Sequence, residues 1–223
     1  MAEPYKNPVK KLIPSKLETG YQQLMYKLLG KHIPKSMTPN QVTGVGVLGG
    51  IFAIICAFLA NISPFFLIGT IFGLFVHMTA DVLDGYVART RGMSSRAGAY
   101  FDLISDVLIS TFMLLAFGLT PYAHLAPAAF AAPLYGVMNV TIMNYIIYYN
   151  EFQFPRLGPI EAHIAYSFFC IAAMVFGSRV LFTVFGIGIM AGDILMLIGL
   201  VPMYYEMFRM AFALFRRLKE FDK

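Results

Sequence analysis

Charged residues are scarce in this chain. They make up 13% of its 223 residues, whereas hydrophobic residues make up 58%. Ordinary soluble domains contain roughly 45–50% apolar residues, so this composition excludes a typical soluble globular protein. Cysteine is also rare: Cys56 and Cys170 both fall inside long apolar runs, which excludes a disulfide framework or a cysteine-based metal site. The sequence therefore predicts a membrane protein whose cysteines are packing residues.

Six runs of the sequence are long and apolar enough to cross a bilayer, which takes about 20 mostly apolar residues. They cover residues 42–61, 64–89, 97–119, 125–149, 158–177 and 181–209. The predicted fold class is an all-α integral membrane protein with six transmembrane helices. We expect residues 41–223 to form one six-helix membrane domain and residues 1–40 to form a separate cytoplasmic or interfacial segment.

The segment 1–40 contains seven lysines and no long apolar run, so it does not match the apolar region of a secretory signal peptide. Ser15, followed by Glu18, is typical of a helix start. This pattern predicts an N-terminal amphipathic helix on the membrane surface, and packing on the protein's own cytoplasmic face is the alternative. The residues predicted to share its apolar face are Leu17, Tyr21, Leu24 and Leu28.

Lysine and arginine are unevenly distributed around the six spans. An even number of spans places both termini on one side, and all 17 lysines and arginines except Arg179 fall on that side. Because basic residues concentrate in cytoplasmic loops, we expect both termini and the loop between the second and third spans to be cytoplasmic. The formal charge of +5 then reflects topology and anionic lipid headgroups rather than nucleic acid.

Four aspartates, Asp81, Asp84, Asp102 and Asp106, lie in the second and third spans, where each charged Asp costs about 2.5–3.5 kcal/mol at a helix centre. Their spacings of three and four residues put each pair on one helical face. The short loop "TRGMSSR" allows the two faces to meet. Facing carboxylates favour hard divalent cations over zinc. The sequence predicts a two-metal site suited to displacement at phosphorus.

Two glycines flank the aspartates, although glycine inside a helix costs about 1 kcal/mol relative to alanine. Gly85 directly follows Asp84, and Gly98 precedes Asp102 by one turn, which leaves this face open to a ligand. Arg89 can pair with a phosphate. The structural alternative is an acid and arginine network that only joins the two helices.

The stretch "DVLDGYVARTRGMSSRAGAYFDLISD" reads D-x2-D-G-x2-A-R-x8-G-x3-D-x3-D. It resembles the signature of the CDP-alcohol phosphotransferases, or CDP-alcohol phosphatidyltransferases, at every fixed position. "TPNQVT" is similar to the start of that family's first span, where Thr38 can cap the helix with Pro39 at its first position and Gln41 reaching back. The resemblance implies a phospholipid-synthesis enzyme that transfers a substituted phosphate from a CDP-linked donor to an alcohol and releases CMP.

The resemblance also implies roles for individual residues. Two divalent cations, Mg²⁺ or Mn²⁺, would be held by Asp81, Asp84, Asp102 and Asp106. Asp106 would also act as the catalytic base that takes the proton of the acceptor hydroxyl. The residues that match the CDP site of the family are Asn40, Gly85, Ala88, Arg89 and Gly98.

The sequence leaves two substrate pairs open. "GPIE" is similar to an element of choline and ethanolamine phosphotransferases, but Leu103 stands where those enzymes usually have His, and Val107 stands where inositol-phosphate-type enzymes usually have Arg. We expect CDP-diacylglycerol as the donor, with CDP-choline or CDP-ethanolamine and diacylglycerol as the alternative. The predicted residues of the acceptor or lipid-phosphate site are Arg156, Glu161 and His163.

Two groups of glycines have spacings that also occur in nucleotide-binding loops or in helix contacts. In "GVGVLGG", Gly44, Gly46 and Gly49 match a dinucleotide-binding spacing, but no strand precedes them, so we interpret the run as a helix contact. Gly188 and Gly192 have the spacing of a helix contact in the sixth span. That contact would lie within one subunit or between the subunits of a homodimer.

Asp193 is predicted near the middle of the sixth span, where an ionisable residue indicates function; a structural partner is the alternative there. For the chain as a whole, membrane-embedded carboxylates also occur in ion pathways. A cation transporter or channel is therefore the alternative function class.

Overall fold

The computed structural model describes residues 10–12, 15–153 and 155–221. Its helices are α1 (Lys16–Leu28), α2 (Pro39–Leu59), α3 (Phe66–Thr90), α4 (Arg96–Gly118), α5 (Leu125–Tyr149), α6 (Pro159–Phe176) and α7 (Ala191–Leu218). Its short strands are β1 (Lys10–Leu12), β2 (Glu151–Gln153), β3 (Val180–Val184) and β4 (Ile187–Met190). Helices α2 to α7 are long and apolar enough to span a membrane. The predicted class of a six-span helical membrane protein is confirmed.

Side-chain caps fix where the helices of the functional site begin. The hydroxyl of Thr38 accepts a hydrogen bond from the Gln41 amide, and the Gln41 side chain accepts one from the Thr38 amide at 2.8 Å, with Pro39 at the first helical position. Ser95 caps α4 by accepting a hydrogen bond from the Gly98 amide at 3.0 Å. Each cap satisfies amides that have no partner inside the helix. The reciprocal cap predicted for the first span is confirmed.

Helices α2 and α3 pack closely through small residues. A β-carbon on Gly73 would lie 2.6 Å from the carbonyl oxygen of Gly49, and one on Gly46 would lie 3.0 Å from the β-carbon of Ala80. This close approach is what small residues permit in membrane helices. It confirms the helix contact of "GVGVLGG" at Gly46 and Gly49, whereas Gly44 does not take part in it. The contact brings the first turn of α2 beside the acidic end of α3.

The main apolar core lies between α2, α3, α4 and α6, where Leu74, Met113, Phe117 and Phe169 are buried. Both cysteines are buried and have free thiols, and Cys170 packs in this core. This agrees with the interpretation of the cysteines as packing residues. The core holds together the helices that carry the aspartates.

The sixth predicted span begins too early in the sequence. The segment from Val180 to Met190 forms an antiparallel hairpin of β3 and β4, with Phe185 and Gly186 at positive φ in its turn. Short runs of apolar and β-branched residues fit a strand as well as a helix, which is why composition alone assigned them to the span. Gly188 lies in β4, so the predicted Gly188–Gly192 helix contact is wrong. Gly192 instead packs against the carbonyl oxygen of Tyr122 within the same subunit.

Asp193 is likewise not in the middle of a span. It lies in the first turn of α7, where its carboxylate accepts hydrogen bonds from the amides of Met190 at 2.9 Å and His124 at 2.7 Å. The ring Nδ1 of His124 lies 2.9 Å from the same carboxylate. The side chain is 2% exposed. Asp193 therefore caps α7 and joins it to the start of α5, which corrects the predicted mid-span location.

The residues before the first span are attached to the helical body. Strand β1 pairs in parallel with β2, and α1 packs on α3 and α6. The Tyr21 hydroxyl lies 2.7 Å from the Thr79 hydroxyl, and Met25 is buried. The face of α1 that points away from the body is apolar and exposed at Leu17, Leu24 and Leu28. Helix α1 thus packs on the protein with one face and has an exposed apolar face on the opposite side, as an amphipathic helix does, while Tyr21 belongs to the inner face.

Candidate active site

The four aspartates all line one cavity of about 1230 Å³. Carboxylate oxygens of Asp81, Asp102 and Asp106 lie within 4.8 Å of one another. Asp84 is buried and accepts a 2.5 Å hydrogen bond from the hydroxyl of Thr43 on α2. The α3–α4 hairpin therefore brings carboxylates from both of its helices to one point.

The arrangement of these oxygens suits a divalent cation. Oδ1 of Asp102 is buried and has no hydrogen-bond partner among the described residues. A buried carboxylate oxygen without a partner is costly, and a bound cation would compensate for it. A donor set made only of carboxylate oxygens fits hard cations such as Mg²⁺ or Mn²⁺. The residues present thus fit the metal that the sequence predicts.

The five residues predicted to bind CDP line the same cavity; they are Asn40, Gly85, Ala88, Arg89 and Gly98. The two glycines leave space for their polar neighbours. A β-carbon on Gly85 would lie 2.9 Å from Nη1 of Arg89, and one on Gly98 would lie 3.0 Å from Oδ1 of Asn40.

Helix α1 supplies cavity residues that the sequence did not predict, namely Glu18, Gln22 and Tyr26. Nη2 of Arg89 donates a 2.7 Å hydrogen bond to the Tyr26 hydroxyl, and the Tyr26 ring stacks on Tyr86 with 4.9 Å between centroids. Burial is the main cause that raises the pKa of Tyr26 above its ordinary value, so the phenol is protonated at neutral pH. Helical periodicity predicted α1 but gave no signal for which of its residues reach the cavity.

Of the three residues predicted for the acceptor site, His163 lines the cavity, and Arg156 and Glu161 do not. Glu161 accepts hydrogen bonds from the Gly158 amide at 2.9 Å and from the Ser15 hydroxyl, so it caps α6 and ties α1 to it. The Arg156 amide donates to Glu206 at 2.8 Å.

The family model described as CDP-alcohol phosphatidyltransferase matches residues 36–205. The chain belongs to the CDP-alcohol phosphatidyltransferase family. A search of curated proteins found no match. The matched region includes the four aspartates and all six predicted spans up to residue 205. As a member of this family, the protein is a phospholipid-synthesis transferase of the CDP-alcohol type rather than a cation transporter or channel.

In this member of the family, the cavity continues past Asp106 between α3, α4, α5 and α6. Nε2 of His77 lies 3.7 Å from Oδ1 of Asp106, and the His77 and His163 rings are 5.3 Å apart. The hydroxyls of Tyr135 and Tyr166 lie 2.7 Å apart. Helix α5 adds an apolar wall of Met138, Ile142, Met143, Ile146 and Ile147. The cavity thus has an acidic part, a neutral polar part and an apolar wall.

Proposed function

We propose that this protein transfers a substituted phosphate from CDP-diacylglycerol to an alcohol and releases CMP. The observation that supports this most is the approach of Asp81, Asp102 and Asp106 to within 4.8 Å in a cavity that also contains Arg89. Single small-molecule sites typically occupy about 300–1,000 Å³. A cavity of about 1230 Å³ is large enough for a nucleotide-linked donor and an acceptor together.

The four aspartates would hold the divalent cations, Mg²⁺ or Mn²⁺. Cations held there would supply positive charge for the donor phosphates and for the departing CMP. Arg89 adds a guanidinium that can form charge-assisted hydrogen bonds with a phosphate. Asn40 and the two glycines shape the space in which the cytidine phosphates would lie. The apolar wall of α5 would receive acyl chains.

Asp106 is the proposed base. Its carboxylate takes the proton from the acceptor hydroxyl, and the hydroxyl oxygen forms a bond to the phosphorus of the substituted phosphate. The bond from that phosphorus to the bridging oxygen of the pyrophosphate breaks, and the oxygen leaves as part of CMP. Because Asp106 lies beside Asp81 and Asp102, the acceptor hydroxyl and the phosphate would be held next to each other, which is how positioning lowers the barrier.

The membrane orientation is part of the proposal. We infer that the acidic end of the α3–α4 hairpin and both termini face the cytoplasm, because lysine and arginine concentrate on that side. CDP-linked donors would then enter from the aqueous side while lipid enters between the helices. CDP-choline or CDP-ethanolamine with diacylglycerol is the alternative substrate pair.

The test is a CMP-release assay with purified protein and Mg²⁺ or Mn²⁺, in which CDP-diacylglycerol and CDP-choline are each combined with a panel of alcohols. We expect metal-dependent CMP release from at least one pair, and Asp106→Asn to abolish turnover without changing the unfolding temperature by more than a few degrees. Glu220→Gln, which alters an exposed acid, is the control and should retain activity. Full activity of Asp106→Asn would contradict the assignment of Asp106 as the base. If no substrate pair releases CMP, the proposed function is wrong.

A further inference from the structure

We propose that the acceptor alcohol carries no phosphate of its own and places its hydroxyl in a pocket formed by His77, Ser110, Tyr135 and His163. We call these four residues the histidine pocket. The inference rests on the proposed function and adds the class and location of the acceptor.

The histidine pocket lies directly beside the proposed base. All four residues line the main cavity. His77 lies 3.7 Å from Asp106 and its ring is 5.3 Å from that of His163. Ser110 follows Asp106 by one helical turn, so the two share a face of α4. A hydroxyl bound in this pocket would be next to the carboxylate that removes its proton.

The pocket contains hydrogen-bonding groups that a hydroxyl can satisfy. Nε2 of His77 faces Asp106, whereas its Nδ1 lies toward the backbone of Gly46 on α2, and the residue is 3% exposed. Nδ1 of His163 lies 2.8 Å from the Pro159 carbonyl oxygen and donates to it, which leaves Nε2 as the acceptor of a neutral ring. Buried polar groups normally have partners. A hydroxyl both donates and accepts, so it can bind between the two rings.

The distribution of charge argues against a phosphorylated acceptor. Among the described residues, the lysine or arginine side chains that line the cavity are Arg89 and Arg96. Arg89 lies in the last turn of α3 and Arg96 is the first residue of α4, so both are at the end where the donor phosphates would bind. The histidine pocket lies beyond Asp106, away from that end. Two divalent cations would carry four positive charges, which the four aspartate carboxylates balance. A phosphate in the histidine pocket, with a charge of about −1.5 to −2, would then have no guanidinium or ammonium among the described lining residues to compensate it.

A phosphate-free hydroxyl could come from two sources. One is a soluble alcohol, such as glycerol, myo-inositol or serine, that reacts with CDP-diacylglycerol. The other is diacylglycerol, which would react with a CDP-amino alcohol. The apolar wall at Met138 and Ile142 lies in the same cavity and suits the acyl chains of either lipid. The chemistry of the acceptor group is the same in both cases.

The first experiment measures acceptor selectivity in the unsubstituted protein with Mg²⁺. CDP-diacylglycerol is combined with glycerol, myo-inositol, serine or glycerol 3-phosphate, and CDP-choline is combined with diacylglycerol. We expect kcat/KM for the best phosphate-free acceptor to exceed that for glycerol 3-phosphate by at least about tenfold, which is 1.4 kcal/mol. Preference for glycerol 3-phosphate would overturn the inference and leave the proposed function intact, whereas no CMP from any pair would remove both. The pair that reacts identifies the source of the hydroxyl.

The second experiment tests the location of the pocket. His77→Gln and Ser110→Ala should raise KM for the acceptor about fivefold, the effect of one hydrogen bond of about 1 kcal/mol, and should leave KM for the CDP donor within about twofold. Ser105→Ala is the matched control, because Ser105 is buried in the same helix and donates to the Phe101 carbonyl at 2.6 Å without lining the cavity. An unchanged acceptor KM in both pocket variants, or an equal rise of both KM values, would overturn the location.

Discussion

Arg89 donates a 2.7 Å hydrogen bond from its guanidinium to the hydroxyl of Tyr26, although the two residues belong to α3 and α1. Tyr26 is itself fixed by stacking on Tyr86. Although Arg89 is exposed, this hydrogen bond favours one position of its guanidinium at the cavity wall. Helix α1 becomes part of the site that the donor phosphates are proposed to enter.

Tyr26→Phe should weaken donor binding. It removes the acceptor of the Arg89 hydrogen bond but keeps the aromatic ring that stacks on Tyr86. For a partly exposed bond to a charged group we expect about 1 kcal/mol, or roughly a fivefold rise in KM for the CDP donor with little change in kcat. Tyr21→Phe is the control, since it removes another hydrogen bond between α1 and α3, to Thr79, without contacting Arg89. Equal donor KM values for Tyr26→Phe and the unsubstituted protein would show that Arg89 needs no positioning.

Divalent cations should stabilise the folded protein through the aspartates. At a cation concentration about 100 times Kd, linkage predicts about 2.7 kcal/mol of added stability, which thermal unfolding in detergent with and without Mn²⁺ would detect. Asp102→Asn should abolish most of this increase, because it removes a proposed ligand whose Oδ1 has no hydrogen-bond partner among the described residues. EDTA should reverse the increase, and Glu220→Gln should retain it. A full increase in Asp102→Asn would place the cation elsewhere.

Gly73→Ala should separate α2 from α3. Its β-carbon would lie 2.6 Å from the Gly49 carbonyl oxygen and 2.8 Å from the Ala53 amide nitrogen, which are backbone atoms that cannot rotate away. We expect a loss of about 1–3 kcal/mol in stability together with reduced activity, because Thr43 and Asp84 lie across the same contact. Gly44→Ala is the control in α2, where no atom of the described residues lies within 4 Å of the added carbon. A smaller loss for Gly73→Ala than for Gly44→Ala would contradict the packing.

Asp193→Ala should reduce stability without changing the chemistry. The substitution leaves the amides of Met190 and His124 without their acceptor, and a lost cap together with a second, part-buried amide that loses its acceptor costs about 1–3 kcal/mol. Thermal unfolding measures this loss. The activity per folded molecule should stay within about twofold of the unsubstituted protein, since an intact acidic cluster carries the proposed reaction. Loss of activity in a fully folded variant would give Asp193 a role beyond capping.

The parts of the fold that depend on local sequence were predictable. Thr38, Pro39 and Gln41 form the predicted cap, and Ser15 caps α1, because capping depends on residues within one turn. The spans up to Phe176 were predictable because about 20 apolar residues rarely have another use. The spacing of the aspartates likewise fixed which carboxylates share a helical face.

The parts that depend on distant contacts were not predictable. Whether Tyr26 or Leu24 of α1 turns toward the cavity depends on how α1 packs on α3. His77 and Tyr135 are far apart in sequence, and no local pattern indicates that they line one cavity. The β3–β4 hairpin was missed because its composition is as apolar as that of a span, and this error also displaced Asp193. In each case the prediction required knowing how residues distant in sequence pack together, which local composition and spacing do not give.

The junction between α1 and α6 has a consequence for biosynthesis. Glu18 accepts a hydrogen bond from the amide of Ile160, which lies 142 residues later in the chain, and the Ser15 hydroxyl bonds to Glu161. These bonds cannot form until α6 has been synthesised and inserted into the bilayer. A nascent chain released after its fourth span would carry every aspartate of the acidic cluster and still lack the α6 contacts that hold α1 beside the proposed donor site.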